Sequence, residues 1–180
     1  IEAYNPRTGY EYRFARFIID KEEEGSVSLI GTPSLTGAVA HYSGNVTGNI
    51  RICGASILSD ELYGNVYIDG DYTFRQDLTV YGNLYLGQSR TTKRYVNFED
   101  CHVTVKENCY HQYVNLNQTG ENAKFTVEKD YVLGYECTDS MGGGIYEIGG
   151  DLLQSGCVGG CRALVCGHTT EKTRFALWNS

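Results

Sequence analysis

The chain of 180 residues has little proline, little positive charge and no long apolar run. Only 2 residues are proline, which cannot donate a ladder hydrogen bond, so extensive β-sheet is permitted. The formal net charge is −7, which argues against a nucleic-acid partner because nucleic-acid binding needs a basic face. No stretch reaches the roughly 18 apolar residues of a membrane span, and we expect no membrane insertion.

Short motifs of the common enzyme classes are also missing. The sequence has no G-x-S-x-G, no H-E-x-x-H and no G-x-x-x-x-G-K-[ST]. A polysaccharide lyase or glycosidase would need paired carboxylates or calcium-binding aspartates, and the candidates are Asp69, Asp71 and Asp77 with Arg75 nearby. Asp and Gly also favour turns, which is the interpretation we prefer. We predict that the protein is not an enzyme and has no cofactor; a small carbohydrate-active enzyme built around Asp69 and Asp71 is an alternative.

Cysteine is present in an unusual number, 7. Disulfides persist outside the cell, so this count predicts a secreted or cell-surface protein. An odd count leaves at least one thiol unpaired or paired between chains. Two groups could be taken for metal ligands: Cys157, Cys161, Cys166 and His168; and Cys101, His102, Cys109 and His111. The spacing of the first group matches no usual zinc finger or ribbon, and for both groups we predict no metal.

The strongest feature is a repeat, marked by an Asn or Asp that is followed by alternating apolar and polar residues: Asn49, Asn65, Asn83, Asn108, Asp130 and Asp151. Three positions earlier every repeat has an aliphatic residue: Val46, Leu62, Val80, Val105, Val127 and Ile148. This period of two is typical of half-buried strands. The position before the Asn or Asp is mostly glycine, which tolerates positive φ and predicts a corner between two strands.

Repeats of this kind predict an all-β fold, a right-handed parallel β-solenoid of about six or more coils. A unit of ~20 residues that buries one face of each strand needs stacked neighbours, and right-handed crossovers are the general preference. An antiparallel sandwich of hairpins would also alternate, but it does not explain columns that keep their character from repeat to repeat. We assign residues 25–180 to the solenoid. Residues 1–24 are predicted to form an N-terminal cap, as a short helix or as a strand laid across the first coil.

One outward-facing column is a candidate ligand-binding site. Two positions after the Asn or Asp stand Tyr67, Tyr85 and Tyr110, in consecutive repeats that stacking would align. Tyrosine combines an apolar face with a hydroxyl and is favoured at binding surfaces. The column predicts a surface for a glycan or a partner protein. Aromatic ladders also stabilise neighbouring strands without binding anything, and this structural interpretation stays open.

Three segments resemble the coils of large secreted, adhesin-like repeat proteins of Gram-positive gut bacteria. Residues 78–87 are similar to their L-x-V-x-G-N-L-x-L coil, residues 143–156 to a G-G-T-L-E-V-x-G-D-F-x-Q coil, and residues 162–168 to the H-x-V-x-L-S-G strand that follows it. The resemblance implies a parallel solenoid that acts in adhesion or surface display, with no shared active site. Residues 44–52 more weakly resemble bactofilins, bacterial cytoskeletal solenoids.

Together these observations predict a non-enzymatic adhesion or surface-display module of a secreted or cell-surface bacterial protein. Its partner is expected to be a glycan, a host protein or another partner protein. The first alternative is a self-assembling structural solenoid of the bactofilin kind, in which exposed end coils associate end to end by strand addition.

Overall fold

The computed structural model describes residues 12–21, 25–42, 45–87, 94–134, 144–154 and 173–177. These residues form a parallel β-solenoid of about 6 turns and include no helix. Its strands are β1 (Arg13–Ile19), β2 (Ser26–Ser28), β3 (Ser34–His41), β4 (Asn45–Thr47), β5 (Asn49–Ile52), β6 (Ser56–Ile57), β7 (Glu61–Leu62), β8 (Asn65–Ile68), β9 (Tyr72–Phe74), β10 (Leu78–Val80), β11 (Leu84–Leu86), β12 (Arg94–Glu99), β13 (His102–Val105), β14 (Cys109–His111), β15 (Val114–Thr119), β16 (Lys124–Val127), β17 (Tyr131–Leu133), β18 (Gly144–Ile148), β19 (Leu152–Gln154) and β20 (Thr173–Leu177).

Three sheets form the walls of the solenoid. Wall 1 runs β1-β3-β5-β8-β11-β14-β17-β19, with β6 also paired to β3. Wall 2 runs β7-β10-β13-β16-β18-β20, and wall 3 is the shorter sheet β9-β12-β15. Neighbouring strands pair in parallel, apart from β20, which pairs antiparallel with β18. The predicted parallel solenoid is therefore confirmed; its right-handedness stays a prediction.

Strand register confirms the repeat column by column. In wall 1 the residues that follow each Asn or Asp pair with one another in a continuous line: Ile50, Val66, Leu84, Cys109, Tyr131 and Leu152. In wall 2 five of the six predicted aliphatic residues do the same: Leu62, Val80, Val105, Val127 and Ile148. All of these side chains are buried and meet in one core. The sixth predicted aliphatic residue, Val46, pairs instead with Val27 in the separate two-stranded sheet β2-β4. Burying a large apolar side chain stabilises the fold by about 1.5–3 kcal/mol, which is why the register is fixed.

Glycine is needed at the predicted corners for two different reasons. Gly48 and Gly64 have φ of 105° and 79°, the left-handed conformation that the sequence predicts. Gly82 does not have a positive φ; there a Cβ would overlap the carbonyl oxygen of Gly64 in the preceding coil. Close approach of two backbones, rather than dihedral freedom, excludes a side chain at Gly82.

The two ends of the described chain differ in their strand pairing. At the N-terminal end β1 pairs in parallel with β3, from Arg13 with Ser34 to Ile19 with His41, and so continues wall 1. Residues 1–11 and 22–24 lie outside the described residues, and the cap over 1–24 stays a prediction. At the other end β20 pairs antiparallel with β18.

Candidate functional site

The three tyrosines of the predicted site stack on the outward face of wall 1. Tyr67 pairs with Tyr85, and Tyr85 pairs with Tyr110. The ring centroids of Tyr67 and Tyr85 lie 4.3 Å apart with an interplanar angle of 4°, and those of Tyr85 and Tyr110 lie 4.8 Å apart at 9°. The side chains are half-buried. The spacing of parallel strands, about 4.8 Å, imposes this near face-to-face contact, and the predicted alignment is observed.

Stacking decides which parts of the rings a ligand can reach. Both faces of Tyr85 are covered, one by Tyr67 and the other by Tyr110. Burial raises the pKa of Tyr85, and so do the neighbouring phenols and a hydrogen bond with the Tyr67 hydroxyl. The hydroxyl of Tyr85 is therefore protonated at neutral pH. What the column offers to solvent is a row of ring edges and hydroxyl groups.

The tyrosine column continues at both ends with different chemistry. Arg51 pairs with Tyr67 on one side, and Val132 pairs with Tyr110 on the other. Beyond Val132 lies Leu153, whose side chain is 40% exposed. We call this row the tyrosine strip: Arg51, Tyr67, Tyr85, Tyr110, Val132 and Leu153. It is cationic at one end, aromatic in the middle and aliphatic at the other end.

An asparagine ladder runs beside the tyrosine strip and ties the coils together. The Oδ1 atom of each member accepts the backbone N–H of the next: Asn65 from Asn83 at 3.0 Å, Asn83 from Asn108 at 3.0 Å, Asn108 from Asp130 at 3.1 Å and Asp130 from Asp151 at 2.9 Å. The sequence analysis did not predict this ladder. The signal for a ladder was present, because the same side chain recurs at the coil period.

A second tyrosine pair, not singled out from the sequence, lies on wall 2. Tyr63 and Tyr81 stack with centroids 4.7 Å apart. Their hydroxyls donate to opposite oxygens of the Glu61 carboxylate, at 2.7 and 2.9 Å. The hydrogen bond to Glu61 and burial raise the pKa of Tyr63 to about 12. The hydroxyl groups of this pair are therefore both hydrogen-bonded to a carboxylate within the protein.

The carboxylates that an enzyme would use have structural partners. Asp71 Oδ1 accepts the backbone N–H of Tyr95 at 2.9 Å, and Asp77 Oδ1 accepts that of His102 at 2.8 Å. Arg75 forms an exposed ion pair with Glu99 at 3.2 Å. Asp69 follows β8 and donates its own N–H to the Ile52 carbonyl. Asp71 and Asp77 thus join each coil to the next, as the asparagine ladder does.

Histidine and cysteine do not gather into a metal site in the described residues. His111 is fully buried: its Nε2 lies 2.8 Å from the Val114 carbonyl and therefore donates, while Nδ1 accepts from the Tyr131 hydroxyl at 2.7 Å. Burial lowers the pKa of His111 to about 4. His102 lies on another wall, 2.8 Å from the Thr126 hydroxyl. His111 is therefore a core imidazole with both ring nitrogens hydrogen-bonded.

None of the three described cysteines is in a disulfide. Cys101 and Cys109 are buried, and Cys53 is half-buried. The disulfides expected from the composition are therefore not found among them. The other candidate metal group and the remaining cysteine lie outside the described residues: Cys157, Cys161, Cys166, His168 and Cys137.

Comparisons with family models, curated proteins and solved structures returned no match to this chain. The structure supports the sequence resemblance at the level of architecture, a parallel β-solenoid of about 6 turns. Membership of the adhesin-like or bactofilin families stays a prediction. Among the residues that the structure covers, none forms a helix that could cross a membrane.

Proposed function

We propose that this protein is a non-enzymatic adhesion or display module of a secreted or cell-surface protein, and that the tyrosine strip binds a partner protein. The observation that supports the proposal is the outward stack of Tyr67, Tyr85 and Tyr110, extended by Arg51 and by Leu153. Six positions at the strand spacing of ~4.8 Å span roughly 24 Å. A strip of that length is long enough to form the centre of a protein interface.

A protein ligand suits the strip better than a stacked sugar does. Sugars bind aromatic side chains through ring faces, and both faces of Tyr85 are covered by its neighbours. Ring edges, hydroxyls, an arginine and aliphatic groups are the mixture found at protein interfaces, where Tyr and Arg are enriched. A glycan that contacts only the hydroxyl row is the other outcome of the test below.

Rigidity also favours binding. A side chain that is ordered by binding costs about 0.5–1.5 kcal/mol. The three tyrosine rings are already held in register by parallel strands and by each other. A partner that contacts them therefore loses little free energy to the ordering of these side chains. The strip is in this sense preorganised for binding.

The secreted or cell-surface location is supported by the total of 7 cysteines and by the resemblance of residues 78–87 to coils of secreted repeat proteins. That resemblance also supports the role in adhesion or display. Bacterial origin is proposed on the same ground.

The test is a binding screen with matched variants. The purified protein is applied to a printed array of glycans and to an array of purified secreted and cell-surface proteins. The triple variant Tyr67→Ser, Tyr85→Ser, Tyr110→Ser removes the stack, and Tyr→Phe at the same positions removes only the hydroxyls. Tyr63→Ser with Tyr81→Ser is the control, since it removes a stack of similar geometry from wall 2. Thermal unfolding confirms that each variant is folded.

Protein binding that is lost in the Ser triple and kept in the wall 2 control supports the proposal. Binding that survives the Ser triple would show that the stack only joins strands. Glycan binding that depends on the strip would replace the protein ligand with a glycan. No binding on either array would overturn the proposal. Assemblies seen by light scattering would favour the self-assembling alternative, and turnover of an acidic polysaccharide abolished by Asp71→Asn would favour the enzyme.

A further inference from the structure

A cavity of about 410 Å³ opens beside β9, away from the tyrosine strip. Residues 54–57 line one side and residues 71–76 line the other. Phe74 and Leu78, at its base, are buried, whereas Ser56 and Asp71 are exposed at its rim. The volume lies within the range of about 300–1,000 Å³ that ligand pockets occupy. The cavity is therefore apolar at its base and polar at its mouth.

The cavity exists because one coil is too short to supply a third wall. Only 16 positions separate Asn65 from Asn49, against 18 between Asn65 and Asn83, the coil that contains β9, and 25 between Asn83 and Asn108. The strand of the short coil, β6, pairs with β3 of wall 1 and not with β9. Wall 3 consequently begins at β9, which is a terminal strand of its sheet.

Among the described residues, the backbone groups on the cavity side of β9 have no strand to pair with. Asp69 and Thr79 donate their N–H groups to the preceding coil at 3.0 and 2.7 Å. Between them, residues 70–78 make no backbone-to-backbone hydrogen bond to that coil, all of which is among the described residues. Two side chains reach across, since Gln76 Nε2 donates to the Ser59 carbonyl at 3.0 Å and the Tyr72 hydroxyl bonds to the Ile57 backbone.

The ladder on the other edge of β9 shows which residue points into the cavity. Arg94 and Asp100 of the β12 segment donate away from β9, to Tyr113 and Thr119. Alternate residues of a parallel strand bond to opposite neighbours, so Asn97 is directed towards β9. Its register partner is Thr73, and Asn97 therefore bonds to the residues on either side of Thr73. The N–H and C=O groups of Thr73 are left facing the open edge.

We infer that β9 accepts an extended segment of a partner polypeptide as a further strand of wall 3. An unpaired strand edge is a template for another strand, because only a backbone matches the spacing of its donors and acceptors. The buried base at Phe74 and Leu78 takes an apolar side chain of the incoming strand, and the rim at Ser56 and Asp71 suits a polar residue beside it. The inference is independent of the tyrosine strip, since it concerns a different wall.

The experiment selects peptides that bind the whole protein from a phage-displayed library of random twelve-residue sequences. Recovered peptides are labelled, and their dissociation constants are measured by fluorescence anisotropy. Ser56→Trp fills the cavity from the side of β6, and Thr73→Pro removes the N–H that faces it. Ser26→Trp, at an exposed position of β2, is the control for adding an indole. Hydrogen exchange with and without peptide reports the protection of the amides of residues 71–75.

We expect peptides with alternating apolar and polar residues, bound roughly tenfold or more weakly by Ser56→Trp and by Thr73→Pro and equally well by Ser26→Trp. Protection at residue 73 should increase on binding. No enriched peptide, or enriched peptides that both cavity variants bind as well as the original protein, would overturn the inference. A protein dimer that Ser56→Trp dissociates would overturn it in favour of a second copy as the occupant. Ser56→Trp decides the matter if Thr73→Pro fails to fold.

Discussion

Glu107 and Lys129 occupy the same corner position in consecutive coils, where other coils have glycine, and their side chains form an ion pair. Neither residue has a positive φ, so the corner tolerates a side chain there. Beside them, Lys106 and Glu128 pair at 2.7 Å with the charges in the opposite order. Two coils that depart from the glycine pattern therefore carry complementary charged dipeptides, which favour one register over a shifted one.

The coupling of Glu107 and Lys129 can be measured with a double-mutant cycle of Glu107→Gln and Lys129→Gln. Both side chains are substantially exposed, so we expect a coupling free energy of only about 0.2–1 kcal/mol in urea unfolding. The coupling free energy should shrink as the salt concentration is raised from 0.05 to 1 M, because the Debye screening length falls to ~3 Å at 1 M. A coupling that is absent at low salt would show that the pair contributes nothing to stability.

For the asparagine ladder we expect a single substitution to lower the free energy of unfolding by more than the coupling of Glu107 and Lys129. In Asn83→Ala, the half-buried N–H of Asn108 loses its acceptor at 3.0 Å, and Asn65 loses the amide of the same side chain at 2.9 Å. An unsatisfied buried donor costs about 1–3 kcal/mol, so we expect a loss of that order in the free energy of unfolding. Urea denaturation followed by circular dichroism measures it.

Asn83→Asp is the matched control, because Asp130 performs the acceptor role at the equivalent position with Asp151. We expect Asn83→Asp to be less destabilising than Asn83→Ala, since it keeps the acceptor for Asn108 and loses only the donor to Asn65. If the two substitutions cost the same, the side-chain oxygen of Asn83 does not stabilise the stacking of coils.

The alternation of apolar residues predicted the walls because burial along a strand is a local property with a period of two. The same information could not predict the cavity beside β9. The short spacing between Asn49 and Asn65 is visible in the sequence, but the pairing of β6 with β3 joins residues that are distant in the sequence and is not. The carboxylate bridge from Glu61 to Tyr63 and Tyr81 was missed for a similar reason, as its members become neighbours only once the coils are stacked. The stack of Tyr67 and Tyr85 was predictable because one column contains both.

Buried histidines predict that stability falls on acidification. Burial lowers the pKa of both His111 and His41 to about 4, against an ordinary 6.5. The folded pKa lies below the unfolded one, so the unfolded state binds more protons between pH 6.5 and 4. Stability is fully present above pH 6.5 and is lost through that window, with a slope that approaches about 1.4 kcal/mol per pH unit for each histidine. Urea midpoints at pH 7, 6 and 5 measure the slope.

Two variants isolate the contribution of His111. His111→Leu matches the leucines on either side in its column, Leu86 and Leu133, but it leaves the Tyr131 hydroxyl without its acceptor. We expect it to cost about 1–3 kcal/mol at pH 7. His111→Leu with Tyr131→Phe removes both members of that hydrogen bond and should recover part of the loss. Recovery is only partial because the Val114 carbonyl loses its donor, Nε2 of His111, in both variants. Both variants should have a shallower pH slope; an unchanged slope would mean that His111 does not titrate on unfolding.

The number of reactive cysteine thiols tests whether the protein is secreted. Cys53, Cys101 and Cys109 are not in disulfides, which leaves 7 − 3 = 4 other cysteines, an even number that can pair completely. Burial raises the pKa of Cys53 and Cys101, so few thiolates are present at pH 8. For a secreted protein we expect slow reaction with an aromatic disulfide reagent in the native state, 3 reactive thiols in urea without reductant, and all 7 after reduction. Seven reactive thiols in urea before any reduction would remove the main support for secretion. The proposed binding surfaces on wall 1 and beside β9 do not depend on this result, because each is tested with its own variants.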